Sequence, residues 1–246
     1  MRKKILFMAG MTLSLLMSAN VMAAKYKVVD VSDGGSISGK VTFTGDVPAP
    51  ITYKISKDND VCGEGNREVD YVRVNAGGLA DVVVYLDKVK QGKAFKAEEK
   101  DAKIVQKGCE FQPFIQIMHN DNNAAIINED SVLHNIHTYE IIGKAKKTAM
   151  NISQPDMGTI NKKVKLKRGV AMKIECDAHD FMHGFVFVAK NPYYARVADD
   201  GSYTIDNVPA GKYKIMAFHG TLGTQKGKAE VTAGASQTVD FTFKKK

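Results

Sequence analysis

From residue 36 onward the chain runs in short alternating stretches, broken every few residues by Gly, Asn or Asp. That rhythm leaves little room for helix and predicts strands. Residues 36–44 (SISGKVTFT) alternate and stop at Gly45-Asp46. Residues 69–74 alternate and stop at Asn75-Ala76-Gly77-Gly78. The run 82–86 (VVVYL) reads as a buried strand. Similar runs lie at 114–118, 124–127, 133–142, 163–166, 171–176 and 185–189, then at 202–205, 212–218, 228–232 and 237–243. So many strands at this spacing predict an all-β chain built of sandwiches or barrels. The Lys- and Glu-rich stretch 88–103 could hold a short surface helix, and 144–147 is expected to be a solvated loop.

The 246 residues suffice for one large domain or two modest ones. With 44% hydrophobic and 25% charged residues, wholesale disorder and collagen-like order are excluded. Arg2, Lys3 and Lys4 precede an apolar run from Ile5 to about Met17, followed by small residues through Ala24. This is the order of a cleavable export signal over 1–23, cut after Ala23. The run is shorter than the ~20 residues a spanning helix needs, so no membrane span is expected after cleavage. The formal charge of +8 then falls to 32 basic against 27 acidic side chains, a net +5, too weak to indicate a nucleic-acid partner. A periplasmic or otherwise exported location allows disulfides, and three Cys is an odd count.

The sharpest chemical signal is Cys176-Asp177-Ala178-His179-Asp180-Phe181-Met182-His183-Gly184. It sits between two strand-like runs and reads as a loop at one end of a sandwich. Thiolate, imidazole and thioether at three-residue steps suit copper, and a trigonal Cys and two-His set with a weak axial Met is the blue-copper arrangement. A lone Cys or Met is ordinarily core; their combination with an upstream His favours a site. Leu133-His134-Asn135-Ile136-His137 supplies that second histidine. His134 and His137 differ by an odd step, so a regular strand points them to opposite faces and only one can serve the site. His137 and His183 stay open as minor metal contacts, with packing or surface roles the commoner outcome. His119 and His219 have no ligand partner in sequence.

At these residues the chain resembles the cupredoxin family, the C-x2-H-x2-M loop and following Gly-Phe-Val-Phe-Val being most similar to amicyanin. Asn128-x-Asp130-x-x-x-His134-Asn135 resembles the strand that carries the first histidine, and Gly108-Cys109-Glu110-Phe111-Gln112-Pro113 the early F-x-P strand. The resemblance spans 101–190. It implies one type 1 copper ion held by His134, Cys176, His179 and Met182, with Asn135 bracing the ligand loop and His179 marking the electron exit. With Cys176 on copper, Cys62 and Cys109 remain. Their disulfide would close a loop of about 46 residues, worth roughly 3–4 kcal/mol. A zinc site using all three Cys is weak, since no C-x2-C pair occurs.

Residues 197–215, with an Asp-Asp-Gly turn, a strand, a Pro-Ala-Gly turn and another strand, resemble the carboxypeptidase regulatory-like, transthyretin-like β-sandwich. The opening strands of that fold are missing there but have counterparts at Gly39-Lys40-Val41-Thr42-Phe43 and at 82–86. The expected architecture is therefore a cupredoxin Greek-key sandwich over 101–190 inserted in a transthyretin-like sandwich built from 24–100 and 191–246. The rival is an N-terminal extension followed by a separate tail domain.

The resemblance implies an electron carrier, not an enzyme, whose partner is a redox protein such as a c-type cytochrome or dehydrogenase. A copper-binding or storage protein without redox traffic is the runner-up. A copper oxidase or reductase would be expected to add His-rich sites, and the six His contain no H-x-H pair. An adhesion module of the cell envelope is weakened by the absence of Trp.

Overall fold

The computed structural model describes residues 26–245; the export segment 1–23 and its cut lie outside the described residues. The described residues form an all-β fold of stacked sheets. Among them no helix is long and apolar enough to cross a membrane.

Strand Gly35–Thr44 organises the first outer sheet. It pairs antiparallel with Ser202–Val208 and parallel with Ser236–Thr238 and Phe241–Lys244. Facing it is a four-stranded sheet in the order Tyr194–Arg196, Val82–Asp87, Gly211–His219, Gly223–Val231. Ile37, Val41, Phe43, Val84, Leu86, Ile205 and Ile215 fill the layer between them. Early and late segments of the chain thus share one sandwich, and residues in between build another.

That second sandwich has a five-stranded sheet in the order Ile115–His119, His183–Ala189, Ala171–Glu175, His134–Ile142, Ala145–Gln154. It faces a sheet in the order Phe111–Gln112, Ala102–Gln106, Asn122–Asn128, Gly158–Val164. Ile104, Met118, Ile126, Ile136, Ile174, Val186 and Val188 pack between them.

The two sandwiches meet through strands buried on both faces. Val82, Val84 and Leu86 point into the first core, whereas Val83 and Tyr85 point out of it. Val186 and Val188 point into the second core, whereas Phe185 and Phe187 point out. The outward sets pack on each other with Phe218 and Ile115. Period-two alternation therefore supplies both cores and the layer between them. Gly220 permits the approach, because a Cβ there would stand 2.4 Å from the Phe185 ring.

Several expectations from sequence need correction. Residues 70–73 are not strand, because the Asp70 carboxylate accepts the Val72 N–H and bends the chain. The helical part of 88–103 is a single 3-10 turn, Ala97–Glu99, between the short strand Gln91–Gly92 and the start of Ala102–Gln106. Lys144 stands in a hairpin turn and Lys146 and Lys147 on the edge strand Ala145–Gln154, so 144–147 is not simply a loop. The strand read at 163–166 runs instead over Gly158–Val164.

His219, left without a role by the sequence, is a buried turn-former. Its Nδ1 accepts the N–H groups of Thr221 and Leu222, each at 3.1 Å. Burial, with Arg73 adding to it, pushes its pKa down to about 4. An unfolded histidine protonates near pH ~6.5, so the neutral folded form contributes stability above that pH and loses it as pH falls toward 4. The loss amounts to about 3 kcal/mol once pH lies below both values. His219→Asn keeps an acceptor for the two N–H groups and does not titrate. Urea midpoints at pH 7 and pH 4 should therefore differ less in His219→Asn than in the wild type; an equal difference would refute this assignment.

Candidate metal centre

One end of the second sandwich's five-stranded sheet and a disulfide bring the site together. His134 opens the strand His134–Ile142, whose burial alternates, so His134 and Ile136 face inward while Asn135 and His137 face the other way. Cys176 follows Ala171–Glu175, the neighbour of that strand, and Met182 precedes His183–Ala189. The loop between them is closed by its own backbone. The His179 N–H donates to the Cys176 carbonyl at 3.3 Å, the Met182 N–H to the His179 carbonyl at 3.0 Å, and the Cys176 N–H to the Met182 carbonyl at 3.3 Å.

Within this frame His134, Cys176 and His179 present donor atoms that all lie within 4.8 Å of one another, and all three residues are buried. The two Nδ1 atoms stand 3.2 Å apart. The Cys176 sulfur lies 3.7 Å from the His179 Nδ1 and accepts the Asn135 N–H at 3.3 Å. Each imidazole is oriented from behind by a carboxylate. His134 Nε2 lies 2.8 Å from Asp130 Oδ2, and His179 Nε2 lies 2.9 Å from Asp58 Oδ2. Ionised carboxylates only accept, so both Nε2 atoms carry the proton and both Nδ1 lone pairs converge beside the sulfur. Two lone pairs at that separation repel unless a cation, a proton or a metal ion, sits between them.

The donor set fits a metal. Metal–imidazole bonds of about 2.0 Å would hold nitrogens 3.2 Å apart at an angle of roughly 105°. A thiolate bond of about 2.3 Å would set sulfur 3.7 Å from nitrogen at an angle of roughly 120°. Both suit a trigonal site of two imidazoles and a thiolate, a set that favours copper. Met182 is buried in the same core cluster, one residue beyond Phe181.

The electrostatics favour neutral, oriented imidazoles but oppose ionisation of the thiol. Burial opposes the Asp130 charge, but the N–H groups of Cys109 and Gly108 and the His134 ring outweigh it and hold the carboxyl below its usual range. Burial pushes the His179 imidazole below its ordinary value, with Asp58 pulling the other way. Burial likewise pushes the Cys176 thiol up, against the N–H groups of Asn135, Ala178 and His179. Asn135 also ties the loop to the strand, its Oδ1 accepting the Asp177 N–H at 3.2 Å.

The remaining histidines stand apart. His137 is held on the opposite face by Asp177 at 3.0 Å, Tyr139 and Thr148. His183 packs between the Tyr53 and Tyr71 rings, and neither of its nitrogens has a hydrogen-bond partner. Neither belongs to a group of converging donors among the described residues. His179, where the resemblance implies an electron exit, is enclosed: its side chain is fully buried and its outer nitrogen is covered by Asp58. Met182 and His183 instead border an open cavity of about 310 Å³.

Cys62 and Cys109 form a disulfide, with Cα atoms 5.2 Å apart, and Cys176 is free. Arg67 clamps its surroundings. The guanidinium donates to the carbonyls of Cys62, Gly108 and Cys109 and lies 5.0 Å from the Phe181 ring centre. Sequence reading missed Asp58, Asp130 and Arg67 as parts of this shell. Asp130 had a usable signal, standing four residues before His134 within the quoted strand pattern.

No family model matches the chain, and no curated protein matches it. Among solved structures, it is similar over 36% of its length to the whole of a purple cupredoxin from Nitrosopumilus maritimus, at 18% identity and a TM-score of 0.30. Over 39% of its length it is similar to a copper-containing nitrite reductase from Thermus scotoductus SA-01, at 14% identity and a TM-score of 0.30. It spans 24% of that reductase.

Replacing Cys62 and Cys109 together by Ser should cost about 4 kcal/mol in the chain-entropy account, read as a lowered denaturant midpoint. Non-reducing peptide mapping of metal-free protein should join Cys62 to Cys109 and leave Cys176 as the free thiol. A bridge through Cys176 would contradict the site.

Proposed function

We propose that this chain is an exported, periplasmic type 1 copper protein that carries electrons between redox partners and catalyses no substrate chemistry. The observation that carries the reading is the convergence of two carboxylate-braced Nδ1 atoms on a buried, unbridged thiol. His134, Cys176 and His179 would hold the metal, with the Met182 thioether as a further, weaker donor. Copper bound there would supply one-electron chemistry. The chain's own contribution is rigidity. Backbone hydrogen bonds fix the ligand loop, the carboxylates fix both rings, and the burial of all three residues excludes water. A site that cannot reorganise favours electron transfer over ligand exchange.

The partner is a redox protein, of the c-type cytochrome or dehydrogenase kind. The flank bordered by Met182 and His183 is the more open side for its approach. We read the sandwich formed by 24–100 and 191–246 as a noncatalytic transthyretin-like module with the copper domain over 101–190 inserted in it, except that the segment 51–69 packs on the copper domain, Ile55 and Cys62 lying in its core. The burial of His179 favours a second reading, a copper-retaining protein without electron traffic. Electron exchange between the reduced protein and oxidised c-type cytochrome, followed by stopped flow, separates the two.

Copper-loaded protein should absorb strongly in the visible as Cu(II) and bleach on reduction, through thiolate-to-copper charge transfer. Cys176→Ala should abolish the colour and remain folded; a coloured variant would sink the assignment. His134→Ala should weaken the site, whereas His137→Ala should leave the spectrum nearly unchanged. Met182→Leu should keep copper and raise the reduction potential, because a weak axial donor stabilises Cu(II).

A further inference from the structure

The side of His179 that faces away from the thiol is closed by a segment from far upstream. Asp58, 121 residues earlier, places its carboxylate 2.9 Å from His179 Nε2. Asp58 adopts a left-handed conformation, φ 54° and ψ 35°, at the start of the four-residue helix Asn59–Cys62. Its carbonyl accepts the Val61 and Cys62 N–H groups, at 3.0 and 2.8 Å, and so starts that turn. Its carboxylate takes no part in capping, although an Asp in this position ordinarily turns its side chain onto the first N–H groups of the helix. Here the side chain is turned onto His179 instead. Left-handed backbone at a non-glycine residue is uncommon and points from the conformation to a role.

The turn is also anchored where the site needs it. Cys62, four residues on, is joined to Cys109, and the Cys109 N–H donates to Asp130, the carboxylate behind His134, at 2.9 Å. The two carboxylates that orient the two imidazoles are therefore linked through one disulfide. Arg67 tightens the link by donating to both half-cystine carbonyls.

Resting on the copper reading of the site, we propose that Asp58 is a positioning residue for His179. It holds the ring as the Nε2–H tautomer with Nδ1 toward the thiol, and its disulfide-tethered turn seals that ring from solvent. An anionic carboxylate on a ligand's N–H strengthens the imidazole as a donor and favours the more highly charged metal state. Asp58 thus holds the reduction potential down. The Cys62–Cys109 disulfide acts as a brace of the site as well as a staple of the chain.

The test uses the full-length protein with Asp58→Asn and Asp58→Gly. Gly relaxes the left-handed backbone and removes the carboxylate; Asn keeps an acceptor and loses the charge. Two readouts are taken: reduction potential with copper bound, and the rate of Cys176 alkylation by iodoacetamide in the metal-free, disulfide-intact protein. We expect the potential to rise in both variants, more for Gly, and Cys176 to label faster in Asp58→Gly than in the wild type. Wild-type potential and wild-type labelling in Asp58→Gly would overturn the proposal and leave Asp58 a turn residue only. Should Asp58→Gly fail to fold, an unchanged potential in Asp58→Asn overturns it equally. Absence of thiolate–copper absorption in the wild type would strike the copper reading alone, and the metal-free labelling arm would still decide whether Asp58 seals the site.

Discussion

Phe185 and Phe187 leave their strand on one face while Val186 and Val188 leave it on the other, and the whole stack of sheets depends on that alternation. The same holds for Val83 and Tyr85 against Val82, Val84 and Leu86. Each pair of faces serves two cores at once, so neither strand has a solvent side. A one-residue slip of His183–Ala189 would exchange its two faces and also shift His183 and the adjoining Met182. The register of the ligand loop is therefore fixed by hydrophobic burial well beyond it, through strands paired residue by residue from Glu175↔His183 to Ala171↔Phe187.

Around the site, geometry and charge support each other. The strand parity that buries His134 turns His137 outward into a polar cluster with Asp177 and Tyr139. Asn135, between them, donates its N–H to the Cys176 sulfur and accepts the Asp177 N–H through its side chain. The four residues 134–137 thus supply a ring, contact the thiol and fasten the loop. Buried polar groups cost little only when fully bonded; Asp130 meets that condition with two backbone N–H groups and a ring N–H.

Much of this was legible because it is local. The 176–184 spacing lies in one loop, the choice between His134 and His137 follows from period two, and VVVYL announces a strand buried on both sides. What was not legible depends on tertiary placement or on exposure. Asp58 is one acid among 27 Asp and Glu and acquires its contact only through the folded chain. The strand Ala145–Gln154 fully buries only its last residue; its alternating apolar signal is confined to half-buried Met150 and Ile152, and it is held by pairing with His134–Ile142. Residues 70–73 fail in the opposite way: their pattern is that of a strand, and one Asp side chain bends it.

The central strand Gly35–Thr44, near the start of the described chain, draws most of its partners from the far end. Lys40 bonds to the Asp240 side chain across 200 positions, and Val41 lies in register with Phe241. During synthesis that strand emerges early and must wait, its edge groups unpaired, until nearly everything else has been made. The intervening 102–189 sheets close over far shorter separations and can assemble in the meantime. The order of emergence thus favours a finished centre inside an unfinished shell. Interruption of the chain before Phe241 would leave an apolar strand edge uncovered, open to pairing with neighbouring copies.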